Sequence, residues 1–189
     1  MSGRTALGLL LATALLLPHN AWAKHKAKKS ADKNKRTAME LKSSAFSPNG
    51  EIPKKHTCQA EDASPMLFWS NVPAGAKSLA LICDDPDAPV GTWVHWVIYD
   101  IPASLHGLPE NVPKKETVLE GAAQGANDFG RIGYGGPCPP PGSFHRYFFK
   151  LYALDKTLGL QAGASKAEVL RAMEGRVLAQ AELVGRFRR

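Results

Sequence analysis

The chain reads as a β-rich α+β protein, and three observations predict that class. Apolar runs of strand length recur between polar or turn residues. Fourteen prolines and seventeen glycines fall mostly between those runs. The one clear helix signal comes near the C-terminus. With 44% apolar and 22% charged residues over 189 positions, the composition is that of an ordinary globular protein of one domain's length. It excludes a collagen-like or wholly disordered chain, and no apolar run reaches the roughly 18 residues of a membrane-spanning helix.

The first segment has the pattern of an export signal. Arg4 supplies a short positive region, Ala6 to Leu17 is an apolar stretch free of charge, Pro18 breaks it, and Ala21-Trp22-Ala23 offers a small-x-small cleavage site. Residues 1–23 are therefore expected to be removed after Ala23. The mature chain is then expected to work in the periplasm or outside the cell, where conditions are oxidising.

Residues 24–42 hold eight Lys/Arg against Asp32 and Glu40, a net +6. Residues 43–189 hold fifteen bases and fifteen acids, so the chain's +7 belongs to its leader and not to its folded part. This removes any charge argument for a nucleic-acid-binding domain. The leader is expected to be a solvated, flexible segment without core residues, dispensable for folding. A sharper reading makes it a tether to an anionic membrane surface or envelope polymer, at about 1 kcal/mol per basic residue near such a surface.

The domain is expected over residues 43–189. Leu79–Cys83, Trp96–Tyr99 and Arg146–Leu154 have strand length and flanking breakers, so buried strands are predicted there. Ser165 and Glu168 form a capping-box pattern ahead of Val169, Leu170 and Met173, which share one helical face. Gly175 weakens that helix, and Val177–Val184 reads equally as its continuation or as a strand.

Three segments carry unusual chemistry. Asp84-Asp85-Pro86-Asp87-Ala88-Pro89 follows the first strand, and two prolines stiffen the loop that presents its carboxylates. Trp93-Val94-His95-Trp96 leads into the next strand, where alternation puts Trp93 and His95 on one face and Val94 and Trp96 on the other. Tyr134 to Gly142 is a Gly/Pro loop, with exposed amides at its glycines, that delivers His145 and Tyr147 to one face of a strand. Taken singly, these are a polar turn, a core histidine and a structural loop.

Taken together they resemble the phosphatidylethanolamine-binding protein (PEBP) family, which includes the Raf kinase inhibitor proteins and plant flowering regulators; the similarity is to its bacterial YbhB/YbcL branch. The matching text is Ser64-Pro65-Met66-Leu67-Phe68-Trp69, Asp85-Pro86-Asp87-Ala88-Pro89, Trp93-Val94-His95-Trp96, Asn127-Asp128-Phe129-Gly130-Arg131-Ile132-Gly133-Tyr134-Gly135-Gly136-Pro137 and His145-Arg146-Tyr147-Phe148-Phe149, in the family's order. The resemblance implies a large central antiparallel sheet, a smaller sheet and peripheral C-terminal helices. It also implies a ligand pocket built from Asp85, Asp87, Pro89, Trp93, His95, Gly136, Pro137, His145 and Tyr147. In such a pocket, backbone amides, two imidazoles and a phenol donate to an anion. The carboxylates would orient the imidazoles and raise their pKa. The run Cys138-Pro139-Pro140-Pro141 lengthens the loop relative to the eukaryotic pattern.

Three functions compete on this reading: a non-catalytic binder of a small anion or phospholipid headgroup, an inhibitor or regulator of a protease or other envelope or host protein, and an Asp/His-based hydrolase. No Gly-x-Ser-x-Gly elbow supports hydrolysis and no His-x-x-x-His or Cys-x-x-Cys spacing supports a metal. Binding without a cofactor or metal is therefore the leading expectation. A homodimer, as in some bacterial relatives, stays open. Of three cysteines at most one intramolecular bridge can form. Cys83 ends an apolar strand and is expected as a buried thiol, leaving Cys58 and Cys138, both in Pro/Gly-flanked loops, as the expected pair.

Overall fold

In a computed structural model, residues 38–189 are described; the expected signal segment and most of the basic leader lie outside them. Strand β1 (Glu40–Ser43) opens the fold, followed by β2 (Leu67–Ser70), β3 (Ser78–Asp85), β4 (Trp93–Pro102), β5 (Gly107–Leu108), β6 (Thr117–Val118), β7 (Ala122–Gln124) and β8 (His145–Leu154). The one α-helix among the described residues, α1 (Lys166–Met173), precedes the last strand, β9 (Val177–Phe187). A six-stranded sheet runs β6-β7-β4-β3-β8-β9, and a three-stranded sheet runs β1-β2-β5. Each pairing is antiparallel.

Strand β3 lies inside the large sheet, with β4 on one side and β8 on the other, and every one of its residues is buried. That explains its unbroken apolar run, since a strand covered on both faces has no polar side to show. Leu79, Leu81 and Cys83 enter one core, with Trp96, Ile98, Phe149 and Leu151 of the neighbouring strands and Leu41, Leu67 and Trp69 of the small sheet. Ala80 and Ile82 enter a second core on the opposite face, with Val97, Tyr99 and the helix residues Val169 and Met173. The small sheet thus covers one face of the large sheet and the helix covers the other.

The helix begins where its cap says it should. Ser165 Oγ accepts from the Glu168 amide, and the Glu168 carboxylate accepts from the Ser165 amide, completing the box. Its first residue, Lys166, reaches Asp84 Oδ2 at 2.5 Å. Asp84 is 1% exposed and also holds Lys150 at 2.9 Å, so a buried carboxylate with two ammonium partners joins helix to sheet. After the Gly175 turn the chain returns as a strand, which decides the ambiguity at 177–184. There is accordingly one C-terminal helix and not several.

One boundary needs correction. Met39 and Leu41 are buried, and β1 pairs with β2 through Leu41↔Trp69. The end of the expected leader is therefore core-forming, and the folded unit begins at Ala38 and not at residue 43. Two apolar residues at alternate positions, set among lysines, were too short a pattern to read as a strand.

Candidate functional site

Three strands bring their ends together: Asp85 closes β3, Trp93 opens β4 and His145 opens β8. Between β3 and β4 the register slips, with Asp84 opposite Val94 but Cys83 opposite Trp96. His95 is the extra residue of a β-bulge, which locally breaks the alternation. Trp93 and His95 do share a face, since the Phe129 ring packs edge-on to both, at 5.5 and 5.3 Å. Val94 and Trp96 do not, contrary to the simple alternation: Val94 joins the core under the helix and Trp96 the core under the small sheet.

The two histidines are fixed through Nδ1. His145 Nδ1 lies 2.7 Å from Asp85 Oδ2, and the other Asp85 oxygen accepts the Asp87 amide at 2.8 Å. His95 Nδ1 donates to the Gly135 carbonyl at 2.6 Å. Both rings are buried, at 2% exposure for His95 and 7% for His145. Burial pushes the His95 pKa below its ordinary value, and the Gly135 carbonyl, Asp85, the Gly136 carbonyl and Asp128 offset this only in part. This reverses the upward shift expected for that ring.

Asp87 has a different task from the expected one. Its carboxylate accepts the Arg146 amide at 2.9 Å and grips the Arg146 guanidinium through Nε at 2.9 Å and Nη2 at 2.7 Å. These bonds hold its carboxyl below the usual range. It locks the loop onto β8 and touches neither imidazole by hydrogen bond. Gly91, at φ +99°, closes the turn by donating to the Ala88 carbonyl, a backbone shape that a side chain resists.

The Gly/Pro loop is also committed differently. The Gly135 amide donates to the His95 carbonyl, and the Gly136 amide donates to Asp62 Oδ1 at 2.6 Å. Neither glycine amide is left for an anion. A Cβ on Gly136 would collide with the His56 carbonyl, so glycine is there for close approach. Cys58 and Cys138 form a disulfide with Cα atoms 5.4 Å apart, and the Cys58 amide donates to the Pro137 carbonyl. Cys83 is a buried free thiol.

A cleft of about 280 Å³ opens where these parts meet. Of the nine residues expected at a ligand, Asp85, Pro89, Trp93, His95 and His145 line it. Asp87, Gly136, Pro137 and Tyr147 do not. Tyr147 stands behind the wall, its ring edge-on to His95 at 5.1 Å, and its hydroxyl and the Trp93 Nε1 are buried without a hydrogen-bond partner among the described residues. Burial pushes the Tyr147 phenol up, so it stays protonated. The rest of the lining went unassigned from sequence: Ala88, Val90, Phe129, Cys138, Pro139 and Pro140. Phe129 was within reach, because Asn127 ties the loop beneath it, accepting the Phe129 and Arg131 amides and donating to Gly133.

A sequence profile described as phosphatidylethanolamine-binding protein matches residues 42–188. The chain belongs to the PEBP family. Among its relatives, a UPF0098 protein of Methanothermobacter thermautotrophicus is 58% identical over 151 residues, covering 80% of this chain and 99% of that one. A UPF0098 protein of Aquifex aeolicus is 53% identical over 153 residues, covering 80% and 89%. Among solved structures, a PEBP homologue from Chlamydia trachomatis superposes with a TM-score of 0.74 at 43% identity, over 81% of this chain and 99% of that one. Escherichia coli YbcL, described as a member of the mammalian PEBP family, superposes with a TM-score of 0.75 at 34% identity, over 80% and 98%. The bacterial YbhB/YbcL-type branch is consistent with these relatives. Among the described residues no group of three or more His, Cys, Asp or Glu is arranged to hold a metal.

Proposed function

We propose that this PEBP-family protein is an exported, non-catalytic binding protein whose cleft takes a small phosphate-bearing group, such as a phospholipid headgroup. One observation carries the reading. Two imidazoles, each anchored at Nδ1, line one small cleft whose other walls are mostly apolar: Pro89, Val90, Trp93, Phe129, Pro139 and Pro140. A few placed polar groups in an apolar cleft is the usual composition of a small-molecule site. The Asp85–His145 pair resembles part of a hydrolytic relay, but among the described residues no hydroxyl of Ser or Thr lines the cleft, and Cys138 is in a disulfide. Without a nucleophile beside the base, the pair orients a ring. The disulfide supports an oxidising compartment, in line with export.

Titration calorimetry of the mature protein with O-phosphoethanolamine tests this. His145→Ala is expected to weaken binding by about 1.5–3 kcal/mol, the range for hydrogen bonds to charged groups. Unchanged affinity in a folded His145→Ala protein places the ligand elsewhere.

A further inference from the structure

The two sulfurs of the Cys58–Cys138 bridge sit in different surroundings. Cys58 is exposed, as are Gln59, Ala60 and Glu61 after it. Cys138 is half-buried between the buried Pro137 and Pro139. Arg189 Nη1 donates toward Cys138 Sγ at 3.9 Å, and the Arg189 carbonyl accepts the Gly142 amide, which keeps that arginine on the loop. The nearby Asp62 carboxylate is already committed, to the Gly136 amide and to Lys114 at 2.6 Å. The backbones on either side of the bridge are tied without it. The Cys58 amide donates to the Pro137 carbonyl at 3.1 Å, and the Tyr134 hydroxyl donates to the His56 carbonyl at 2.7 Å.

From this asymmetry we infer that the bridge is a directional thiol-exchange site, where a low-molecular-weight thiol attaches covalently to Cys58 and Cys138 is the sulfur released. The incoming thiolate forms a new S–S bond to Cys58 Sγ. The old bond breaks, and its electron pair goes to Cys138 Sγ as a thiolate. Such a step is governed by access to the sulfur struck and by stabilisation of the thiolate that leaves. Both point the same way here: Cys58 is the open sulfur, and the Arg189 guanidinium meets the charge that develops on Cys138. Because the flanking backbones stay tied, the Cys138 thiolate remains within reach of Cys58. Its return attack expels the small thiol as thiolate and closes the bridge again, with no oxidant consumed. Nothing in this exchange depends on what the cleft binds.

The probe is 2-mercaptoethanol, whose thiol brings no second charge to the site. The folded mature protein is incubated with it, quenched with excess N-ethylmaleimide, digested without reductant and mapped by mass spectrometry. The expected product carries the mercaptoethanol on Cys58 and the maleimide on Cys138, at least tenfold over the reverse arrangement. In urea, where burial and the Arg189 contact are lost, the two arrangements are expected in comparable amounts. Equal or reversed labelling of the folded protein overturns the inference, as does a bridge that the thiol opens only in urea. A preference for Cys58 that persists in urea belongs to the local sequence and overturns the part given to the fold. Arg189→Gln, a change at an exposed residue, is expected to slow the exchange several-fold. An unchanged rate in that variant overturns the part given to the guanidinium.

Discussion

At the residue scale, the cleft depends on two anchoring bonds that span 40 and 60 positions of sequence, His95 to Gly135 and His145 to Asp85. Replacing Asp85 by Ala leaves a buried imidazole nitrogen without its acceptor. That is expected to cost about 1–3 kcal/mol in chemical denaturation and to loosen ligand binding with it. His95 makes a separate prediction about pH. Its folded pKa lies below 6.5, so the unfolded chain binds the proton first as pH falls, and stability is lost below about pH 6.5. A His95→Gln protein is expected to show a flatter loss of melting temperature between pH 6.5 and 5; an unchanged acid limb assigns that loss to other groups. The histidines were legible in the sequence because each sits in a motif beside a stiff loop. Their partners were not, because a backbone carbonyl such as that of Gly135 leaves no mark in residue identity. Asp87 illustrates the same limit: residue identity names its neighbour Arg146 but does not show a guanidinium folded back over the loop.

At the element scale, the strands that surround the core were legible wherever apolar residues ran uninterrupted, as in β3, or were rich in aromatics, as in β8. The bulge at His95 was not, since a one-residue slip in pairing changes no residue type and still carries Trp96 to the face opposite Val94. Strand β1 escaped for the reason already given, and it yields a direct test. Leu41→Ala is expected to destabilise by about 2–5 kcal/mol, the cost of truncating a buried leucine, measured by urea denaturation. Stability equal to that of the unaltered chain would return Leu41 to the leader. The start of the helix was legible to the residue through its cap, though its end was not, and Ser165→Ala is expected to cost about 1 kcal/mol. The helix also carries Lys166 to Asp84, so a frayed first turn exposes a buried carboxylate.

At the scale of the whole molecule, the Cys58–Cys138 bridge joins the loop after the Pro53–His56 turn to the wall of the cleft, across 80 residues of chain that include β2 to β7. Closing so long a loop restricts the unfolded ensemble, worth about 4 kcal/mol in the chain-entropy account. The third cysteine takes no part. Cys83 sits in the main core, and burial raises its thiol well above the ordinary range, so it is neither accessible nor ionised for exchange. Mild reduction of the folded protein is therefore expected to expose two alkylatable thiols and not three. Because Cys138 lines the cleft directly and leads into Pro139 and Pro140, the effect of reduction should reach beyond stability. The Pro137 carbonyl keeps its bond to the Cys58 amide and the Gly136 amide keeps Asp62, so the base of the loop stays in place while its tip is freed. Affinity for a phosphorylated headgroup analogue, measured by calorimetry well below the melting temperature, is then expected to fall in Cys58→Ser/Cys138→Ser while His145 and Asp85 remain paired. Full affinity in that variant would show that the tip's prolines only border the cleft, and that the histidines alone define what binds there.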